Sequence, residues 1–220
     1  MNKYKLFIII CFFIITLSLP KATAVIKDLN LLGKVFVLDA GHGGIDNGAQ
    51  NGKIIEKDLN LLLTKKLEKE LISRGATVYL TREEDNDLST TTNSRKKSDL
   101  YNRAQYINTI SPDMFISIHL NSTPSLIWKG LQIFYTDKNI NNRLIAESIT
   151  DNLKKEINNV RDIKKDNTYY MYKYINSPGI LIEMGFISNS EENFLLRQEE
   201  YQNKLIIAIA DSIEKYYQKN

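Results

Sequence analysis

Val35-Phe36-Val37-Leu38 is an unbroken apolar run that stops at Asp39-Ala40-Gly41-His42-Gly43-Gly44. A strand with one buried face alternates apolar and polar residues. A run that is apolar throughout has both faces covered, as in a parallel sheet clad by helices. The rest of the chain alternates in the way that architecture requires. Leu59, Leu62, Leu63, Leu67 and Leu71 recur at helical spacing, and Arg74-Gly75 stops that helix. Residues 77–80 read as the next strand, and residues 81–97, with their Ser/Thr/Asn cluster, as an exposed loop. Leu100, Ala104, Ile107 and Ile110 mark a helix ending before Pro112. Residues 114–118 and 131–135 are further strands, 144–157 a helix, 179–183 a strand, and 191–197 and 201–217 C-terminal helices. This order predicts a single α/β domain with a mostly parallel sheet, without internal repeat or second domain.

The first 24 residues follow a different pattern. Lys3 and Lys5 precede an apolar run from Leu6 to Leu19, broken only by Thr16 and Ser18, and Ala22-Thr23-Ala24 follows. A basic start, an apolar segment short for a membrane span and small residues at an A-x-A site read as a secretory signal peptide cleaved after Ala24. The alternative is an uncleaved N-terminal anchor. Cys11 has no small residue before it, which argues against a lipidated cysteine. Expected are a signal peptide at 1–24, a catalytic domain at 25–220 and an extracytoplasmic location with no permanent membrane span.

Cleavage also changes the charge. The whole chain has 29 Lys+Arg against 26 Asp+Glu, and the leader contains Lys3, Lys5 and Lys21 but no acid. The mature chain is therefore balanced, and lacks the clustered basic excess that nucleic-acid phosphates would select. Cys11 is the one cysteine, so the exported protein has neither a disulfide nor a thiol nucleophile and must rest on its core. No G-x-S-x-G elbow is present either.

The two histidines both follow strands. His42 lies just past the 35–38 run, and His119 ends the apolar stretch Phe115-Ile116-Ser117-Ile118. Ligands of open α/β sheets collect beyond the carboxyl ends of the strands. Singly, each histidine reads as structural or merely exposed; together, at matching strand ends, they favour a shared metal. Glu56, fourteen residues after His42, opens the Leu59 helix. It has two readings, an acid placed against a helix dipole or a third ligand carried back by the 43–55 loop. Two imidazoles and one carboxylate would hold Zn²⁺ and leave a position open for water. Glu183 follows Ile180-Leu181-Ile182 at a strand end. It is either a paired strand-end acid or, beside a zinc site, the general base and acid.

Leu38-Asp39-Ala40-Gly41-His42-Gly43-Gly44, Glu56 at a helix opening, Ser117-Ile118-His119-Leu120-Asn121 and the run from Leu181 to Asn189 resemble, in order, the zinc-dependent N-acetylmuramoyl-L-alanine amidases of the Amidase_3 family. The likeness covers about residues 34–217. It implies a six-stranded sheet flanked by helices, zinc on His42, Glu56 and His119, and Glu183 as catalytic glutamate. The substrate it implies is peptidoglycan, cut between the lactyl group of N-acetylmuramic acid and L-alanine of the stem peptide. Family members often have Ala where this chain has Leu120, which is expected to narrow the cleft floor and touch no ligand. The chain carries neither a targeting domain nor an inhibitory helical insertion, which makes it similar to the compact sporulation branch, the CwlD type. That branch prepares muramic-δ-lactam in the spore cortex for germination, and a compact single domain is compatible with an activating protein partner.

Three features stay open. Residues 168–174, rich in tyrosine, either wall the cleft or pack in the core. Arg103 is either a solvated or ion-paired helix residue or a family feature, and Asn121 either orients His119 or caps a turn. Rival functions are another zinc amide hydrolase (a peptidase or deacetylase), a vegetative autolysin or division amidase, and a non-catalytic wall-binding module.

Overall fold

The computed structural model describes residues 29–219; the expected signal peptide lies outside them. In chain order the elements are β1 (Val35–Ala40), β2 (Gln50–Asn51), β3 (Ile54–Ile55), α1 (Glu56–Ser73), β4 (Thr77–Leu80), α2 (Arg95–Ile110) and β5 (Met114–Asn121). They continue as β6 (Gln132–Tyr135), α3 (Asn141–Glu156), β7 (Lys164–Lys165), a 3₁₀ turn (Met171–Lys173), β8 (Gly179–Phe186), α4 (Ser190–Leu195) and α5 (Glu199–Lys219). Six strands form one sheet in the order β4-β1-β5-β8-β6-β7. Its pairings are parallel except β6 against β8, so the sheet is mostly parallel as expected.

Side-chain parity sorts the interior into two layers. Phe36 and Leu38 of β1, Met114, Ile116 and Ile118 of β5, and Ile180, Ile182 and Met184 of β8 face one side. There they meet Leu63, Leu67 and Leu71 of α1, Ile145 and Ile149 of α3, and Leu205, Ile209 and Ile213 of α5. Val37, Phe115 and Leu181, one residue out of phase, face the other side with Ala104 and Ile107 of α2 and with Met171 and Tyr172. Burial of these side chains at roughly 25 cal/mol per Å² is what makes the helices stay docked.

Parity also places the site. On the α1–α3–α5 side the strands stay apolar to their ends. On the α2 side they turn polar toward their carboxyl ends: Val37 gives way to Asp39, Phe115 to Ser117 and His119, and Leu181 to Glu183. Asp39 pairs in register with Ser117, and His119 with Glu183. Same-face neighbours on adjacent strands are about 4.8 Å apart, so these polar groups form one patch.

Three details differ from the sequence reading. The sixth strand, β7, is two exposed lysines with no apolar signal. β8 runs on to Phe186, so Glu183 lies within the strand rather than at its end. The 43–55 segment, expected as a loop, contains the β2–β3 hairpin, with Gln50 opposite Ile55.

Candidate metal centre

His42 stands on the turn leaving β1 in a left-handed conformation, φ 62°. Such a backbone costs a non-glycine residue about 1–2 kcal/mol, and three cations hold it there. Arg103 of α2 donates to the carbonyls of His42 at 2.7 Å and Ala40 at 2.8 Å. Arg82 donates to the carbonyls of Ala40 at 2.9 Å and Gly41 at 3.1 Å, and Lys57 Nζ to that of Gly44 at 2.7 Å. Arg103 is ion-paired, as one of its readings had it, but it is buried at 1 % exposure rather than solvated. Its charge is met by Asp39 at 2.8 Å and Asp99 at 2.9 Å. Burial alone would raise the Asp39 carboxyl; the Arg103 charge, with hydrogen bonds from Ser117, Thr81 and Arg103, outweighs it and holds the group at about 2.

Glu56 is the first residue of α1, brought back by the β2–β3 hairpin. Its Oε2 accepts the Ala49 N–H at 2.8 Å, and its Oε1 the Leu120 N–H at 3.2 Å. Oε1 also meets His42 Nε2 at 3.1 Å and His119 Nδ1 at 3.2 Å. Burial would raise this carboxyl, but its contacts with the His119 and His42 rings hold it below the usual carboxylate range. The dipole reading of Glu56 is thus accompanied by close contact with both imidazoles. Leu120 does touch Glu56, through its N–H; its side chain faces the apolar core.

Two glycines are required by close approach. The His119 ring lies where a Cβ on Gly41 would stand. At Gly48, φ 65°, a Cβ would come within 2.6 Å of Glu56 Oε2 and 2.8 Å of His42 Cδ2.

One donor atom each from His42, Glu56 and His119 lies within 4.8 Å of the others. Tetrahedral zinc with bonds near 2.0–2.1 Å would place its ligand atoms about 3.4 Å apart, close to the two histidine–glutamate separations above. The donor set, two imidazoles and a carboxylate, suits a catalytic zinc. Asp46, which the sequence reading missed, contacts His42 Nδ1 at 3.1 Å on the side away from Glu56. A carboxylate there fixes the ring so that Nε2 presents its lone pair. The spacing of four residues from His42 was the available signal. With Glu56 and Asp46 as partners the His42 pKa rises, although burial opposes it.

Glu183 enters the same cleft, a cavity of about 350 Å³ that also carries His42, Glu56, His119, Asp46 and Tyr169. Its Oε2 is buried without a hydrogen-bond partner among the described residues. Burial lifts its pKa to about 7, and the Glu56 charge adds to that against the pull of the two histidines. The paired-acid reading does not fit this atom. Residues 168–174 divide between both of their readings. Tyr169 and Tyr170 line the cleft, while Tyr172 lines it and also packs on Phe115, ring centroids 5.4 Å apart. Asn121 lines the cleft as well, and its carbonyl accepts the Ile187 N–H at 2.9 Å.

Residues 36–215 match the family model described as N-acetylmuramoyl-L-alanine amidase. The germination-specific N-acetylmuramoyl-L-alanine amidase of Bacillus subtilis is 41% identical over 194 residues, 86% of this chain and 82% of that protein. Among solved structures, the CwlD amidase of Clostridioides difficile, in complex with the GerS lipoprotein, matches with TM-score 0.80 and 39% identity over 85% of this chain and 100% of that one. The catalytic domain of the amidase CwlV from Bacillus (Paenibacillus) polymyxa matches with TM-score 0.74 and 29% identity over 85% and 99%.

Proposed function

The chain belongs to the N-acetylmuramoyl-L-alanine amidase family, and we propose that its cleft hydrolyses the bond from the muramic lactyl group to L-alanine in spore-cortex peptidoglycan. Likeness to the germination-specific and CwlD amidases supports the cortex as its place of action and germination as its purpose. The products, peptide-free muramic acids, are what muramic-δ-lactam formation requires. An extracytoplasmic location, reached by a signal peptide cleaved after Ala24, completes the reading; the N-terminal mass of the exported protein checks it. The CwlD–GerS complex supports a protein partner of the same kind here, tested by co-purification.

His42, Glu56 and His119 would hold zinc. When bound, it supplies the charge that polarises an amide carbonyl and eases deprotonation of water. Glu183 moves the proton. Glu183 lines the cleft and its Oε2 is buried without a hydrogen-bond partner among the described residues; its carboxylate accepts the proton of the attacking water, then returns it to the departing amine nitrogen. A carboxyl poised near 7 can do both, and a cation beside it favours the carboxylate needed for the first step. Arg82, Arg103 and Lys57 hold the His42 turn, and Asp46 orients its ring.

One observation carries this reading: an unpaired buried carboxylate oxygen in the cleft that gathers the two histidines and Glu56. Mass spectrometry of digested peptidoglycan tests it. New L-alanine amino termini are expected, and Glu183→Gln is expected to lower the rate at least about 10²-fold. Release of acetate, or new termini within cross-links, would point to a deacetylase or peptidase instead.

A further inference from the structure

Resting on the amidase reading, the geometry points to a carboxylate-binding subsite for the stem peptide where Lys96, at the cleft edge, adjoins Lys97 in the neighbouring pocket. The catalytic cleft does not end at its metal-side residues. Lys96, Leu100 and Tyr170 line it and also line an adjoining open pocket of about 510 Å³, whose other walls are Ser94, Arg95 and Lys97. Substrate extending from the scissile bond therefore has a continuous path along these residues.

The charges along that path are unevenly placed. The catalytic cleft is lined by the acids Asp46, Glu56 and Glu183, while Arg103 is buried and consumed by Asp39 and Asp99. Lys96, 66% exposed, is the cation at its solvent edge. Arg95 is paired with Asp87 at 2.8 Å and Lys96 with Asp46 at 3.0 Å; among the described residues Lys97 has no ion pair. Three cations in the first turn of α2 oppose its dipole, and Lys97 has no ion pair among the described residues to offset that cost.

The substrate's own chemistry chooses the side. Before cleavage the muramic carboxyl is tied up in the amide, and the sugar beside the scissile bond is uncharged. The free carboxylates all lie on the peptide side, starting with that of the acidic residue after L-alanine. The reach agrees. Lys96 Nζ and His42 Nδ1 contact the same Asp46 oxygen at 3.0 and 3.1 Å, so the ammonium is no farther from the His42 ring than those two contacts laid end to end. Two stem residues span roughly 7 Å. Leu100 and Tyr170 supply an apolar floor for the L-alanine methyl and the chain beyond it.

Two soluble muropeptides, identical except that the second stem residue carries a free or an amidated α-carboxyl, test the subsite. Calorimetric binding to the Glu183→Gln protein reads it without turnover. The free acid is expected to bind about fivefold more tightly, the size that two exposed ion pairs supply, and Lys96→Gln with Lys97→Gln is expected to bring that ratio toward one. In the active enzyme the same preference is expected in KM rather than kcat, weakening with added salt. Equal binding of the two muropeptides, or a ratio unmoved by the lysine substitutions, overturns the subsite. Failure of the amide to be cut while the binding preference persists would instead strike the amidase reading alone.

Discussion

Glu183 shows how one residue's setting becomes a measurable property of the molecule. Its carboxyl titrates at about 7 when folded, against 4.5 in an open chain, because burial disfavours the charge. Below pH 4.5 both states hold the proton and the group is neutral toward stability. Between 4.5 and 7 the unfolded chain releases a proton that the folded one keeps, so stability falls as pH rises. The shift corresponds to about 3 kcal/mol. In metal-free protein, Glu183→Gln is therefore expected to raise the melting temperature by several degrees at pH 8 and to leave it unchanged at pH 4. Equal gains at both pH values in a thermal scan would show that the buried charge is not the cause. Asp39 titrates in the opposite sense. Held at about 2 by Arg103 and its hydroxyl donors against burial, it stabilises the fold above its unfolded value of 3.8, and that contribution is lost as pH falls toward 2.

Among elements, the decisive contact is between α2 and the turn leaving β1. Arg103 spans them, with Asp99 one helical turn away on its own helix and Asp39, the Ala40 carbonyl and the His42 carbonyl across the gap. A guanidinium serves four acceptors in fixed directions, which an ammonium cannot do. Arg103→Lys is expected to keep the fold yet weaken zinc binding about 10- to 100-fold, as loss of a supporting shell does, because the left-handed His42 turn loses its hold. Arg103→Met leaves two buried carboxylates uncompensated and is expected to cost about 3–5 kcal/mol. Competition against a chelating dye measures the first effect and denaturant unfolding the second. An unaltered zinc dissociation constant in Arg103→Lys would mean that Arg82 and Lys57 suffice.

At the scale of the molecule, the packing predicts that the fold stands without the proposed metal. Two apolar layers on opposite faces of the sheet fill the interior, and His42, Glu56 and His119, the proposed ligands, belong to neither layer. Removing zinc with a chelator is therefore expected to leave the far-ultraviolet circular dichroism intact. Its melting temperature should fall by about 5–10 °C, since ligand at 100-fold its dissociation constant contributes about 2.7 kcal/mol, and each kcal/mol moves a domain of this size by about 2–4 °C. Collapse of the cooperative transition on chelation would show instead that the metal builds the fold.

The amino-acid sequence by itself determined the five longer strands of the sheet, the helices between them, the turn after β1 that carries His42 and the strands that carry His119 and Glu183, although β5 and β8 run on past those two residues. Those features are written locally, in apolar runs and helical spacing, because burial acts on every residue of an element alike. The two-lysine strand β7 and the β2–β3 hairpin left no such trace, since strands of two residues are too short to show a period. Only tertiary structure decided that Glu56 would meet both imidazoles, that Asp46 would back His42 and that Arg103 would be buried among carbonyls. Each depends on directional contacts between segments far apart in the chain, such as Arg103 with His42, sixty-one residues away. Composition and periodicity record how much of a side chain is hidden; which oxygen it then points at is set by how the layers close.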